Sequence, residues 1–316
     1  MKSFFRRLLK VMGGVALALL ILLGLAYFIW VPGAEEPSYE LVKVWGGKGT
    51  KPGRFNEPTG IAVTDDEVFV SDARNGRIQV FDQQGRFKRA FQDGLQRPMN
   101  VDIVGDKLYV ADFFTEMIHV FSLDGTPNRV IAPEDGLNKP GGVAAAADGT
   151  LYVADTYNQR VLHLTANGRI LNQWGGGEEP DASPGQFSYP TDVAVTDDGT
   201  LFVADGYNDR VQVFDPKGQF LRKWGGPFAA NIYGPFNGWF ITVTSIALGP
   251  RGNVFVADFY NDRVQKFTPE GQFLTAFGRT PPELGHTAIA VAIDDNDTVF
   301  VADYARHRVQ EWQRPR

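Results

Sequence analysis

A Val-Ala-Asp tripeptide, or a close variant of it, returns along the chain with its aspartate at Asp72, Asp112, Asp155, Asp205, Asp258 and Asp303. The intervals are 40, 43, 50, 53 and 45 residues. Self-similarity at such a period marks a stack of like supersecondary units, none able to bury its apolar faces alone. The fullest copy shows what each unit is. An apolar run at 193–195 leads through Asp198-Gly199 to a second run at 201–204. A polar loop then leads to 211–214, and a turn at Gly218 to an outer run at 220–224. Short alternating runs separated by Asp-Gly and Gly turns are antiparallel strands. Four of them in about 45 residues make one blade of a β-propeller.

Ring closure is also legible. The sixth copy stops at Arg316, with no room for a fourth strand, while Trp45-Gly46 ends a segment from Tyr39 that is similar to 219–225. The amino-terminal strand is therefore expected to complete blade six. That joins the two ends of the domain and removes the open sheet edge that would invite aggregation. The fold expected is all-β: a six-bladed β-propeller over residues 39–316, with its N-terminal strand closing the last blade.

The segments VADGYNDRVQ (203–212), VADFYNDRVQ (256–265) and VADTYNQRV (153–161) resemble NHL repeats. The resemblance runs from Tyr39 to the end and points to a bacterial, membrane-anchored type of NHL propeller. It is specific for fold and weak for function, because one scaffold hosts unrelated activities. Relatives of this kind include RNA-binding modules, peptide-amidating lyases, lactonase-like hydrolases and bacterial proteins of unknown role.

The first forty residues differ from the rest. Lys2, Arg6, Arg7 and Lys10 make a basic flank, 1–10, followed by an uncharged run over 11–31. As a helix those residues rise about 31 Å, enough to cross the hydrocarbon core. Basic residues stay on the cytoplasmic side, and Glu35, Glu36 and Glu40 follow the run. The reading is a single-pass signal-anchor helix with a cytoplasmic N-terminus, a tether at 32–38 and a periplasmic or extracellular propeller. A cleaved signal peptide is the competing reading. Against it stand the length of the run, its bulky end (Tyr27, Phe28, Ile29, Trp30), and small residues that fall inside the run rather than after it.

Charge and composition then exclude chemistry. There is no cysteine, so disulfides, thiolate catalysis and cysteine–zinc sites are out. Beyond residue 10 the chain has 27 basic against 37 acidic residues, a poor match for a phosphate backbone, so no nucleic-acid partner is expected. Arg77, Arg160, Arg210, Arg263 and Arg308 each follow a repeat aspartate by five residues. Recurrence in nearly every blade marks these pairs as structural. The amidating-lyase likeness would need histidines converging at the channel, but His119, His163, His286 and His307 fall at unlike repeat positions.

The lactonase likeness would need oxygen ligands just before the inner strands. Gly60, Asn100, Gly142, Asp192, Ser245 and Ala290 stand there, so Asn100 and Asp192 are the only candidates for a calcium ion. No cofactor is otherwise expected, and no catalytic residue emerges. The loop face is richer: Phe113, Phe114, Tyr157, Tyr207, Phe259, Tyr260 and Tyr304 sit between second and third strands. The connection 225–244 adds Phe228, Tyr233, Phe236, Trp239 and Phe240. Aromatic surface at low entropic cost suits recognition of a protein, peptide or glycan. Phe114, Tyr157, Tyr207, Tyr260, Trp239 and Phe240 are the candidate contact residues. The expected function is a membrane-anchored binding scaffold, with a divalent-cation-dependent hydrolase or lyase at the channel as the alternative.

Overall fold

A computed structural model describes residues 12, 14–22, 24, 30–177, 179–278 and 288–315. The basic flank 1–10, much of the run 11–31 and His286 lie outside the described residues. The described residues between 12 and 24 are helical, as is Trp30, and among the described residues no helix is long and apolar enough to cross a membrane.

From β1 (Glu40–Gly46) onward the chain builds six four-stranded antiparallel sheets. Blade one is β2 (Pro58–Val63), β3 (Glu67–Asp72), β4 (Arg77–Asp82) and β5 (Phe87–Phe91). Blade two is β6 (Pro98–Val104), β7 (Lys107–Asp112), β8 (Met117–Ser122) and β9 (Pro127–Ile131). Blade three is β10 (Gly142–Ala145), β11 (Leu151–Asp155), β12 (Arg160–Leu164) and β13 (Ile170–Gly175). Blade four is β14 (Pro190–Val195), β15 (Leu201–Asp205), β16 (Arg210–Phe214) and β17 (Phe220–Trp224). Blade five is β18 (Val243–Leu248), β19 (Val254–Asp258), β20 (Arg263–Phe267) and β21 (Phe273–Phe277). Blade six is β22 (Ala288–Ile293), β23 (Val299–Asp303) and β24 (Arg308–Gln313), completed by β1. The expected closure is present: Trp45 lies opposite Val309 and Glu40 opposite Gln313.

The core is a set of seams between blades. Phe202, Val213 and Trp224 of blade four pack against Val243, Val254, Val256 and Phe267 of blade five. Phe55, Val70 and Phe81 pack against Phe300 and Val309 to seal blade one to blade six. Each seam needs both of its sheets, which is why no blade is stable alone. The Asp-Gly turns behave as expected; Gly199 has φ +85°, a conformation that L side chains rarely adopt.

Residues 32–38 are pinned to the propeller rather than spanning free space. The amides of Glu35 and Glu36 donate to the carbonyl of Leu274 at 2.8 and 3.0 Å. The Glu36 carboxylate takes a 2.7 Å bond from Lys266 Nζ and a 3.1 Å bond from Arg314. Lys266 is 0% exposed and stands where blade four has Val213. Its charge is balanced by Glu36 and by the faces of Tyr39 and Phe255, 5.6 and 5.5 Å away. Desolvation holds its pKa below the ordinary lysine value.

Candidate functional site

The repeat aspartates are structural. Each of Asp72, Asp155, Asp205, Asp258 and Asp303 accepts from the Nε of the arginine five residues on, at 2.6 or 2.7 Å. In blade four the same Asp205 oxygen also takes Asn208 and Gln212 at 3.0 Å, and its other oxygen takes the Ser188 amide at 2.8 Å. These carboxylates are buried and saturated. Asp112, which lacks an arginine partner, is saturated by the amides of Gln96, Arg97, Phe114 and Thr115.

The inner strands surround a central cavity of about 360 Å³ lined by Ile61, Asp102, Val104, Asp197, Leu248 and Ile293 among others. Asn100 and Asp192 stand at its head. Asn100, on blade two, donates through Nδ2 to the carbonyl of Thr244 on blade five at 3.3 Å. Those blades are opposite in a ring of six, so the amide reaches across the channel. Asp192 Oδ2 accepts the Ile246 amide at 3.0 Å, and the Ser245 hydroxyl and Val193 amide also bond to the carboxylate. Burial pushes its pKa up to about 7, against those hydrogen bonds and with Asp102 adding to the rise.

Asp102 went unnoticed in the sequence. By pairing register it matches Ala62, Ala144, Ala194, Ala247 and Ala292, a ring of alanines that it alone interrupts. Its oxygens take the amides of Ala145 and Ile103 at 2.8 and 2.9 Å, and burial pushes its pKa up to about 6. The signal was available as Asn100-x-Asp102, two polar residues on one face of an otherwise apolar strand. Asp102 staples blade two to blade three, and Asp192 staples blade four to blade five. Among the described residues no group of three His, Asp or Glu side chains could hold a metal ion. His119 bonds Thr115, His163 stacks on Tyr152, and His307 accepts the Glu57 amide.

The loop face carries a belt of aromatic rings. After each of β11, β15 and β19 the chain makes one turn of 3-10 helix (Thr156–Asn158, Gly206–Asn208, Phe259–Asn261), closed by a residue with φ between +52° and +55°. The asparagine of each turn bonds back to the repeat aspartate. That leaves the middle residue, Tyr157, Tyr207 or Tyr260, pointing outward and half exposed. Phe114 holds the same place in blade two, whereas blades six and one have Ala305 and Arg74. Ring centroids step from Phe114 to Phe113 (5.5 Å), Tyr157 (5.9 Å), Tyr189 (5.4 Å) and Tyr207 (5.1 Å). Partial burial raises the Tyr207 pKa, and on the next blade Tyr260 packs edge-on against Phe259, with centroids 5.0 Å apart.

Tyr189 is a belt member that the sequence reading missed, because it precedes an inner strand rather than sitting in the turn. Past the belt the rim becomes charged: Arg74 and Arg97 hold Glu57 at 2.6 and 3.3 Å, and Arg97 and Lys139 lie over the Phe114 ring.

Two candidates require correction. Phe240 is 0% exposed and packs on Phe267 and Val243. It occupies the repeat position of Phe55 and Phe187, three residues before an inner strand, and plugs the same seam. Trp239 is half-buried and turned to the amino-terminal segment: its Nε1 donates to the carbonyl of Trp30 at 2.5 Å. Asn237 likewise bonds the Pro32 carbonyl, and Phe228 packs on Trp30 with centroids 4.6 Å apart. The long connection between blades four and five therefore receives the amino-terminal segment.

With fold and face in view, the chain is a six-bladed β-propeller carrying NHL repeats. The NHL repeat family model matches residues 55–81, 137–164 and 187–214. The chain is 31% identical over 141 residues to the protein brain tumor of Drosophila melanogaster, covering 42% of this chain and 14% of that one. It is 31% identical over 144 residues to the E3 ubiquitin-protein ligase TRIM32 of Homo sapiens, covering 40% and 22%. The chain thus spans under a quarter of the length of these curated relatives, and both are animal proteins, not bacterial ones.

Among solved structures it is similar to a Bacteroides thetaiotaomicron protein of unknown function, with TM-score 0.69, 12% identity, and 87% and 76% of the two chains covered. It is also similar to a streptogramin B lyase, with TM-score 0.61, 14% identity, and 89% and 99% covered. At such identities these likenesses speak to the fold alone.

Proposed function

We propose that the chain is a membrane-anchored scaffold whose loop face binds a protein or peptide outside the cytoplasm. The observation that carries this reading is the belt from Phe114 to Tyr260. The position that projects from the turn is aromatic in four consecutive blades and not in the other two. Stability does not require that asymmetry, since Ala305 and Arg74 serve in the same turn. A half-exposed run of rings, bordered at one end by the Arg97–Glu57 and Lys139–Glu116 ion pairs, offers apolar anchors with a charged margin. This suits an extended segment with aromatic or aliphatic side chains. The likeness to a ubiquitin-protein ligase is in keeping with a propeller that engages proteins.

Anchoring rests on the sequence: the basic flank 1–10, the charge-free run 11–31 and the acidic residues after it. Catalysis at the channel has less behind it, since the Asp192 carboxylate is engaged between blades and Asn100 bridges the channel. The test is the double variant Tyr157→Ala/Tyr207→Ala in the full chain. Both rings are half exposed, so the melting temperature should hold while retention of the membrane partner falls by about thirtyfold or more, the scale of an interface hot spot. Unchanged retention would remove the belt from the reading.

A further inference from the structure

The connection at 225–244 contains no charged residue, and the next charge after Lys223 is Arg251. In a chain that is 22% charged, a surface loop of that length without a charge is out of character. It is not buried either: Phe228 is 73% and Tyr233 66% exposed, with Ile232 and Phe236 exposed beside them. The loop is also where the amino-terminal run arrives. Trp30 packs on Phe228 at 4.6 Å and its carbonyl accepts from Trp239. Between Trp30, Pro32, Trp224, Phe228 and Phe273 lies a cleft of about 300 Å³. Trp224, which lines it, has a buried indole N–H with no acceptor. At its edge is Lys223, whose pKa is held below the ordinary lysine value chiefly by desolvation.

We propose that this charge-free connection is a bilayer-docking surface, on which the propeller rests where its anchor leaves the membrane. The inference builds on the anchor reading above. Trp30 closes the uncharged run, so a membrane crossed by 11–31 has its interface at the height of Trp30. Phe228 and Trp239 are held at that same height by direct contact, and Tyr233 precedes Gly234, which lies against the Trp239 ring. Tryptophan and tyrosine favour that zone because their rings are apolar and their N–H or O–H remains hydrated. An absence of charge removes the desolvation cost of approach. The cleft, lined by Trp30, Pro32, Phe228 and Phe273, takes an acyl chain.

Pinning through Glu35, Glu36 and Trp30 makes the docking rigid, so the propeller has one orientation on the bilayer. The turns bearing Tyr207 and Tyr260 contact the same connection: Asp209 accepts the Thr242 amide, and the Tyr260 amide donates to Ile241. The belt therefore meets its partner at the membrane surface.

Absence of cysteine makes the test clean. Single variants Leu20→Cys, Phe228→Cys, Tyr233→Cys and Lys217→Cys are made in the full chain and checked by thermal melt. Each carries a nitroxide and is reconstituted in vesicles of phosphatidylcholine and phosphatidylglycerol. Accessibility to oxygen and to a polar nickel complex is then read. The expected result is loss of nickel access with retained oxygen access at Leu20, Phe228 and Tyr233, and full nickel access at Lys217, in the turn before the outer strand β17. A lipid-embedded Leu20 with nickel-accessible Phe228 and Tyr233 overturns the docking and leaves the anchor standing. A nickel-accessible Leu20 overturns the anchor itself. Labels at Phe228 and Tyr233 shielded from both reagents mean a protein covers the loop, which also overturns the docking.

Discussion

At Asp192 the burial of one carboxylate has a consequence that a melt can read. Its folded pKa of about 7 stands above the ordinary aspartate value, so the folded state holds a proton that the unfolded chain has released between about pH 4 and 7. The unfolded state binds fewer protons there, and stability falls as pH rises through that window and stays low above it. Asp102, at about 6, acts in the same direction. Asp192→Asn keeps an acceptor for the Ile246 amide and removes the charge. It should raise stability at pH 8 by on the order of 1–3 kcal/mol, with the gain shrinking towards pH 4. Melts of both proteins across that range check this. Calcium should leave either melting temperature unmoved; a saturable rise lost in Asp192→Asn would instead mark an ion at the channel.

Glu36 makes the opposite case, since its partner Lys266 is fully buried. Removing one member of such a pair strands the other charge. Glu36→Ala should cost about 2–3 kcal/mol, somewhat below a fully buried pair because Glu36 is partly exposed and Arg314 shares it. In a Lys266→Met background the same change should cost little, and a double-mutant cycle in urea measures the difference.

Among elements, the amino-terminal strap and β1 do different work. The strap at 32–38 supplies the counter-charge for blade five, and β1 supplies the fourth strand of blade six. A chain beginning at Pro32 should melt like the full protein, whereas one beginning at Tyr39 should melt several degrees lower, reproducing Glu36→Ala. The contrast shows what was legible beforehand. Strand count, blade count and closure could be read because repeat spacing and turn chemistry are local, and the 220–224 outer strand is present as expected. The strap could not be read, because Glu36 and Lys266 are 230 residues apart and nothing local announces their meeting. Phe240 was misread for the reverse reason. Its repeat position matches Phe55 and Phe187, but the uncommon length of its loop drew attention to exposure instead of register. Asp102 lies two residues beyond the position that opens each inner strand, on the same face, so the residue at that opening position alone does not reveal it.

For the whole molecule, the seams make a rigid ring, sealed across the channel by the Asn100 bridge, and the loop face is where the blades differ from one another. Turn for turn the propeller is nearly symmetric in its aspartates and asymmetric in its exposed rings, so recognition is assigned to the rings. If residues 11–31 hold the chain in the bilayer, the protein should remain in the membrane pellet after carbonate extraction; release would mean that the run is not an anchor.

The belt itself is tested most directly by site-specific crosslinking in the native membrane. A photo-crosslinking amino acid replaces Tyr207 in the full chain, and in a second variant it replaces Lys217. The account predicts a discrete protein adduct at Tyr207, lost when Tyr157→Ala is added, and none at Lys217. No adduct at Tyr207, or equal adducts at both positions, would contradict it.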